Sequence, residues 1–220
     1  MNSVILNSLS YGMYAIGVVG DNGPTASIVN TVFQVTAQPI MIAVSVNRDN
    51  YINELIKSTG EFSVSVLSEN TSGTVIGALG FNSGRTCDKL SNLDYKILKE
   101  GQPVLRENIC CWFLCKVKNS IETMTHTIFI AEVKAGSEKS TEKPMTYEYY
   151  QNVIKGKSPK YAPTYIVDKL NDEKKSDHLA YVCPICGYIY EDEHINFDDV
   201  SDDWNCPLCN SPKDAFYISG

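Results

Sequence analysis

Cys183, Cys186, Cys206 and Cys209 stand in two Cys-Pro-x-Cys units, YVCPICGYIY and WNCPLCNSPK, with nineteen residues between them. One Cys-x-x-Cys turn lets two thiolates grip an ion, and two such turns complete a tetrahedron. An all-thiolate set of this kind selects zinc or iron over magnesium or calcium. A thioredoxin-like dithiol fits less well, because a matched second unit is present and no strand–helix–strand pattern surrounds the first. Pro184 and Pro207 fix φ just after the first thiolate of each turn. Gly187, and Asn210 in the matching place of the second turn, tolerate the left-handed conformation that would aim backbone N–H groups at sulfur. Such N–H···S bonds favour the more negative state of an iron site and raise its potential. Zinc would make the unit a structural ribbon without redox chemistry. Tyr181, Tyr188, Tyr190, Trp204 and Phe216 flank the two turns, a dense aromatic core of the sort a metal-stapled unit this small needs.

The rest of the chain gives no second metal set. Cys87, Cys110, Cys111 and Cys115 show no disulfide framework. Cys110 and Cys111, being neighbours, are expected to point to opposite faces of a strand as small apolar residues. His178 and His194 read as surface residues. No Ser-His-Asp set and no paired catalytic carboxylates are present, and no GxGxxG follows a strand, which argues against a Rossmann nucleotide domain. Charge marks a boundary: residues 177–220 hold nine Asp/Glu against one Lys/Arg, whereas residues 1–176 hold 17 against 18. The net charge of −7, with no basic tract, argues against a nucleic-acid binder. The first twenty residues contain no Lys or Arg, so a secretory signal is not expected. No apolar run is long enough for a bilayer span. A cytoplasmic chain without membrane contact is expected.

The elements that must carry this chemistry are mostly strands. SYGMYAIGVVG, ASIVNTVFQVTA, IMIAVSV, FSVSVLS, VLRENICCWFLCKVKNSI and THTIFIAEVKAG are β-branched or aromatic runs bounded by Gly, Asn, Asp or Pro. Many short strands with turn punctuation predict an antiparallel barrel or sandwich. NYINELIKST carries Ile52, Leu55 and Ile56 on a helical face, with Asn50 placed to cap it. TSGTVIGALGF is a second short helix in prospect, and KILKEGQPVL a turn leading into the next strand. The reading divides the chain into residues 1–153, a linker over 154–178, and a small unit over 179–220.

Two resemblances follow from these residues. YVCPICGYIY, DDWNCPLC and KDAF resemble rubredoxin over about residues 179–220, with a shorter segment between the turns and Asn210 in place of the usual Gly. The resemblance implies a rubredoxin-like metal-knuckle domain with one iron held by Cys183, Cys186, Cys206 and Cys209. Upstream, TASIVNTVFQVTAQP, IAVSVNRDNYINELIKSTGEFSVSVLSE, GFNSGRTCDKL and THTIFIAEV resemble, in order, the flavin reductase-like family of FMN-binding split barrels. KPMTYEYYQNVIKGKSPKYAPTY resembles the tail of the subgroup that carries a C-terminal rubredoxin, the high-molecular-weight rubredoxin type.

That family implies a mainly β fold: a Greek-key antiparallel split β-barrel with a few short helices, as a homodimer, with FMN near the subunit interface. It places Thr25, Ser27, Asn30 and Thr31 along the flavin ring and ribityl chain. Ser45, Asn47, Arg48 and Asn50 fall at the strand end leading into NYINELI, where helix-start N–H groups suit a phosphate. Arg85 is a further phosphate candidate. Reduction of flavin by NAD(P)H is direct hydride transfer and needs no nucleophile, so His126 is expected to steer the nicotinamide or stabilise reduced FMN. The implied function is electron transfer from NAD(P)H through FMN to the iron and on to a redox partner protein, such as a flavodiiron oxygen or nitric oxide reductase. Two other readings stay open: a reductase that supplies free reduced flavin, and a flavin-binding barrel with a structural zinc ribbon.

Overall fold

The computed structural model describes residues 8–154, 180–183, 188–190, 192, 195–207 and 211–219. Strands β1 (Tyr14–Gly20), β2 (Gly23–Val29), β3 (Val32–Ala37) and β4 (Ile40–Asn47) are followed by helix α1 (Tyr51–Thr59), strand β5 (Glu61–Leu67) and helix α2 (Gly73–Phe81). Then come β6 (Tyr95–Ile97), β7 (Pro103–Leu105), the long pair β8 (Ile109–Glu122) and β9 (His126–Gly136), and helix α3 (Tyr147–Asn152). The C-terminal segment contributes β10 (Ala180–Val182) and β11 (Tyr217–Ser219).

Seven strands form one antiparallel sheet in the order β2-β1-β5-β8-β9-β4-β3. Its two edges, β2 and β3, are consecutive in the chain and joined only by Asn30 and Thr31. The three Cα steps from Val29 to Val32 reach about 11 Å at most, so the sheet must roll until its edges meet at that corner. The core agrees: a single cluster collects Ile16 and Val18 from β1, Val44 and Val46 from β4, and Phe62 and Phe129 from β5 and β9. Ile52 and Ile56 of α1 enter the same cluster. Fully burying each such aliphatic side chain stabilises the fold by roughly 1.5–3 kcal/mol. The other face of β1, with Met13 and Ala15, packs with Leu79 of α2 and with Met145 and Tyr150 around α3.

Helix α1 forms where its apolar face and caps predict. The Asn50 side chain accepts from Ile52 N at 3.2 Å, and Gly60, at φ 71°, ends the helix by donating its N–H to Ile56 O. The left-handed φ at that position is one that glycine adopts without strain.

Some sequence expectations need correction. The run ASIVNTVFQVTA is two strands, not one, because the chain leaves one sheet edge at Val29 and joins the other at Val32. VLRENICCWFLCKVKNSI likewise divides into β7 and β8, separated by a bend with Asn108 at φ 55°. KILKEGQPVL does turn into the next strand as expected, as a β6–β7 hairpin with Gly101 at φ 100°. Helix α3 was not anticipated. The thiols behave as expected: Cys110 is buried and Cys111 half-buried on β8, and burial pushes the Cys115 thiol up to about 12. Such groups are inert.

In the C-terminal segment β10 pairs with β11 around stacked rings of Tyr181 and Phe197, with Trp204 and Phe216 packed beside them. The expected linker lies, beyond Ile154, outside the described residues, as do His178 and His194. No helix among the described residues is long and apolar enough to cross a membrane.

Candidate functional site

The corner where the sheet edges meet gathers most of the expected cofactor residues. Thr25 and Ser27 share one face of β2, and both are buried. The Ser27 hydroxyl donates to Asn50 Oδ1 at 3.4 Å, which ties the β2 edge to the cap of α1. Thr31 and Ser45 are joined across the β3–β4 pair: Ser45 N donates to Thr31 O at 3.1 Å, and the Thr31 hydroxyl to Ser45 O at 3.2 Å. Asn30, also buried, completes the corner.

A short loop covers this face. A methyl group added at Gly84 would sit 2.5 Å from Thr25 Oγ1 and 3.2 Å from Tyr51 Cδ1, so only a residue without a side chain fits there. The next residue, Arg85, lies over the Tyr51 ring at 4.8 Å and pairs with Glu54 at 2.8 Å. Arg48 takes a different direction. Its N–H donates to Thr125 O at 2.9 Å, and its guanidinium lies 3.7 Å from Glu122. The two arginines therefore approach the start of α1 from separate elements rather than forming one cluster.

Asn47 pairs with His126 across β4 and β9. Its side chain accepts from Asp49 N at 2.8 Å and shapes the turn into α1. His126 Nδ1 bonds the Thr125 hydroxyl at 2.8 Å, whereas Nε2 is buried with no partner among the described residues. Burial lowers its pKa, so the ring is neutral at pH 7.

Two residues escaped the sequence reading. Lys89 is buried at 5% exposure, with Nζ donating to Ser27 Oγ at 2.8 Å and to Leu79 O at 2.7 Å. In the sequence it is one half of an Asp-Lys pair, a pattern that ordinarily means a solvated surface. Asn53, fully buried, donates from Nδ2 to Val46 O at 3.0 Å and accepts from the Thr127 hydroxyl at 3.4 Å. It locks α1 onto β4 and β9. Its place beside Ile52 on the helix hid a core role.

The corner suits a polar ligand. The Thr25 hydroxyl is buried with no hydrogen-bond partner among the described residues, and a buried polar atom left that way is costly unless something binds it. The start of α1 offers N–H groups and the positive end of a helix dipole.

Of the four expected metal ligands, Cys183 and Cys206 are described, and both are buried in one cluster with Tyr188 and Phe216. Their surroundings repeat. Cys183 N donates to Tyr188 O at 2.8 Å, and Cys206 N to Ser211 O at 2.7 Å, closing turns of equal length. Cys186, Cys209 and Asn210 lie outside the described residues. Among the described residues no group of three metal-binding side chains occurs.

Comparison with known proteins gives four findings. A family profile described as "Flavin reductase like domain" matches residues 6–157. The chain is 35% identical to a Moorella thermoacetica protein named "High molecular weight rubredoxin", over 98% of this chain and 99% of that one. It is 32% identical to an Archaeoglobus fulgidus "Ferric-chelate reductase (NAD(P)H)", over 73% of this chain and 95% of that one. Among solved structures, a Streptomyces globisporus protein described as "NADH:FAD oxidoreductase SgcE6" shares the fold. Its TM-score is 0.60 at 19% identity, over 64% of this chain and 83% of that one.

Proposed function

The chain belongs to the flavin reductase-like domain family, and from that membership we propose that it passes electrons from NAD(P)H through FMN to one iron held by Cys183, Cys186, Cys206 and Cys209. A redox partner protein, such as a flavodiiron oxygen or nitric oxide reductase, takes them onward in the cytoplasm. The observation that carries the reading is one chain joining a polar, incompletely satisfied corner to a four-cysteine segment. The full-length similarity to a protein named as a rubredoxin supports that joining.

The rolled sheet is, in this reading, a Greek-key split barrel. When bound, FMN supplies a hydride acceptor that can release electrons singly, the chemistry needed between a nicotinamide and an iron. The residues fit it. Thr25, Ser27, Asn30 and Thr31 offer hydroxyl, amide and backbone groups to the ring and ribityl chain, and Ser45 supports them from β4. The start of α1 at Asn50, with Asn47, Arg48 and Arg85 around it, suits the phosphate. Neutral His126 has an unpartnered ring nitrogen to offer, and steers the nicotinamide. The four thiolates would hold the iron, and the half-buried rings of Tyr188 and Phe216 beside Cys183 and Cys206 would limit the access of water to it.

A second copy of the chain completes the assembly. Edge strand β3 is exposed along Phe33–Ala37, and Phe33, Val35, Ile40, Ile121 and Met124 present apolar side chains to solvent. An edge of that kind is a pairing surface.

The visible spectrum of the purified protein before and after anaerobic NADH tests the reading. Iron–thiolate absorbance should be present and should bleach together with the flavin. Flavin that bleaches while the iron stays oxidised would leave a reductase that feeds external acceptors. A colourless metal site containing zinc would leave a structural ribbon.

A further inference from the structure

Lys89 has no assigned role in the reading above, yet it is the buried cation nearest the corner. Its ammonium is held by Ser27 Oγ at 2.8 Å and Leu79 O at 2.7 Å, two neutral acceptors. An ammonium has three N–H donors, so these bonds leave one more to offer. Among the described residues no carboxylate pairs with it. The strand and helix packed against it, β2 (GPTASIV) and α2 (GTVIGALGF), contain no titratable side chain. On its own loop, Arg85 is engaged by Glu54, and the Asp88 carboxylate accepts from Leu90 N. The exposed Cys87 is the titratable neighbour whose field reaches it. A buried charge without an opposite charge is costly and is retained where a ligand will answer it.

We propose that Lys89 is the resident cation of the flavin site: it fixes the Ser27 hydroxyl and supplies positive potential that favours the more negative redox state of a bound flavin. The proposal rests on the flavin reading above and adds to it the group that sets the cofactor's potential. Ser27 is the link. Its oxygen accepts from Lys89, so its proton is directed to Asn50 Oδ1. The polar groups of β2 and the cap of α1 thus share one orientation set by the lysine. Desolvation holds the ammonium near about 8 against an ordinary 10.5, so the charge is present at neutral pH and is lost in mildly alkaline solution. Lys89 is therefore a positioning and electrostatic residue rather than a proton donor to substrate.

The test uses the full-length protein with FMN or riboflavin added, comparing wild type with Lys89→Gln and Lys89→Arg. Fluorescence quenching gives the affinity for each oxidised flavin, and dye-equilibrated titration gives the potential of the bound flavin, at about pH 6.5 and about pH 9.5. Lys89→Gln should bind both oxidised flavins within a few-fold of wild type. At the lower pH it should lose about tenfold in preference for the reduced state, a fall of about 30 mV for a two-electron couple. At the higher pH the two proteins should converge, whereas Lys89→Arg, whose guanidinium stays charged, should match wild type at the lower pH and lie above it at the higher.

Equal potentials for wild type and Lys89→Gln at the lower pH would overturn the proposal. So would a loss of FMN affinity without loss of riboflavin affinity, since the cation would then serve the phosphate. If Lys89→Gln does not fold, the wild type decides, because its preference for the reduced state must fall between the two pH values beyond the change seen for free FMN. A wild-type protein that binds no flavin would instead defeat the underlying reading, and would show itself before any variant is measured.

Discussion

Thr31 and Ser45 hold each other twice, main chain to main chain at 3.1 Å and hydroxyl to carbonyl at 3.2 Å. This double tie pins the residue that follows the corner to the strand that feeds α1. Thr31→Val keeps the β-branched shape and removes the hydroxyl. It should cost about 1 kcal/mol of stability, the worth of one hydrogen bond, and should weaken FMN binding. Denaturant melts with and without FMN measure both effects.

Gly84 is placed by space rather than by backbone angle, with Thr25 Oγ1 only 2.5 Å from where its side chain would begin. Gly84→Val should push the loop away from β2. Flavin affinity should fall at least about tenfold, the upper end of one hydrogen bond's worth, while the melting temperature of the flavin-free protein changes little. Isothermal titration paired with a thermal melt separates the two.

The buried lysine also makes stability depend on pH. The folded protein holds Lys89 near about 8, whereas the unfolded chain returns it to its ordinary 10.5. Between those values the unfolded state binds the extra proton, so stability rises with pH across that window. The penalty is fully present below about 8 and is relieved as pH approaches 10.5, a change of up to about 3 kcal/mol. Urea unfolding of flavin-free protein should show the rise as the difference between wild type and Lys89→Met across this range, because the buried Cys115 thiol, pushed up from 9.0 to about 12, lowers the stability of both proteins alike above its ordinary value.

Cys206 is buried in the cluster with Cys183. Cys206→Ser should yield protein without iron–thiolate absorbance and without stoichiometric iron by elemental analysis. Its FMN should still be reduced by NADH at a rate close to wild type, because the corner site shares no residue with the metal set.

His126 presents an unsatisfied, buried Nε2 and a ring kept neutral by burial. His126→Ala should retain FMN but slow its reduction by NADH about tenfold, the value of one well-placed hydrogen bond. Because burial lowers the imidazole pKa, the wild-type rate should be level above its ordinary range, from about pH 7 upward. Stopped-flow absorbance against pH reads both.

What the sequence disclosed follows from how local each feature is. The four cysteines stand out as a proposed ligand set because ligand chemistry and turn spacing are written in adjacent residues. Helix α1 was equally plain, since Ile52, Leu55, Ile56 and the Asn50 cap are all local signals. The break between β2 and β3 was hidden because TASIVNTVFQVTA is apolar and β-branched throughout, and the Asn30–Thr31 corner exists only once the sheet has rolled. Lys89 was hidden for the same reason. Nothing in DKL says that β2 and α2 will bury it. Ser27 and Asn50, proposed separately, proved to be bonded to each other, a relation that a separation of 23 positions in the chain conceals.

The Asn30–Thr31 junction also sets where this molecule tolerates being cut. Every neighbouring strand pair in the sheet is made without the peptide bond between those two residues, since β2 pairs only with β1 and β3 only with β4. A circularly permuted gene opened at that bond, with the original ends spliced by a linker, would retain all six ladders while unfastening the cofactor corner. Architecture and prosthetic-group retention would then come apart in a single polypeptide.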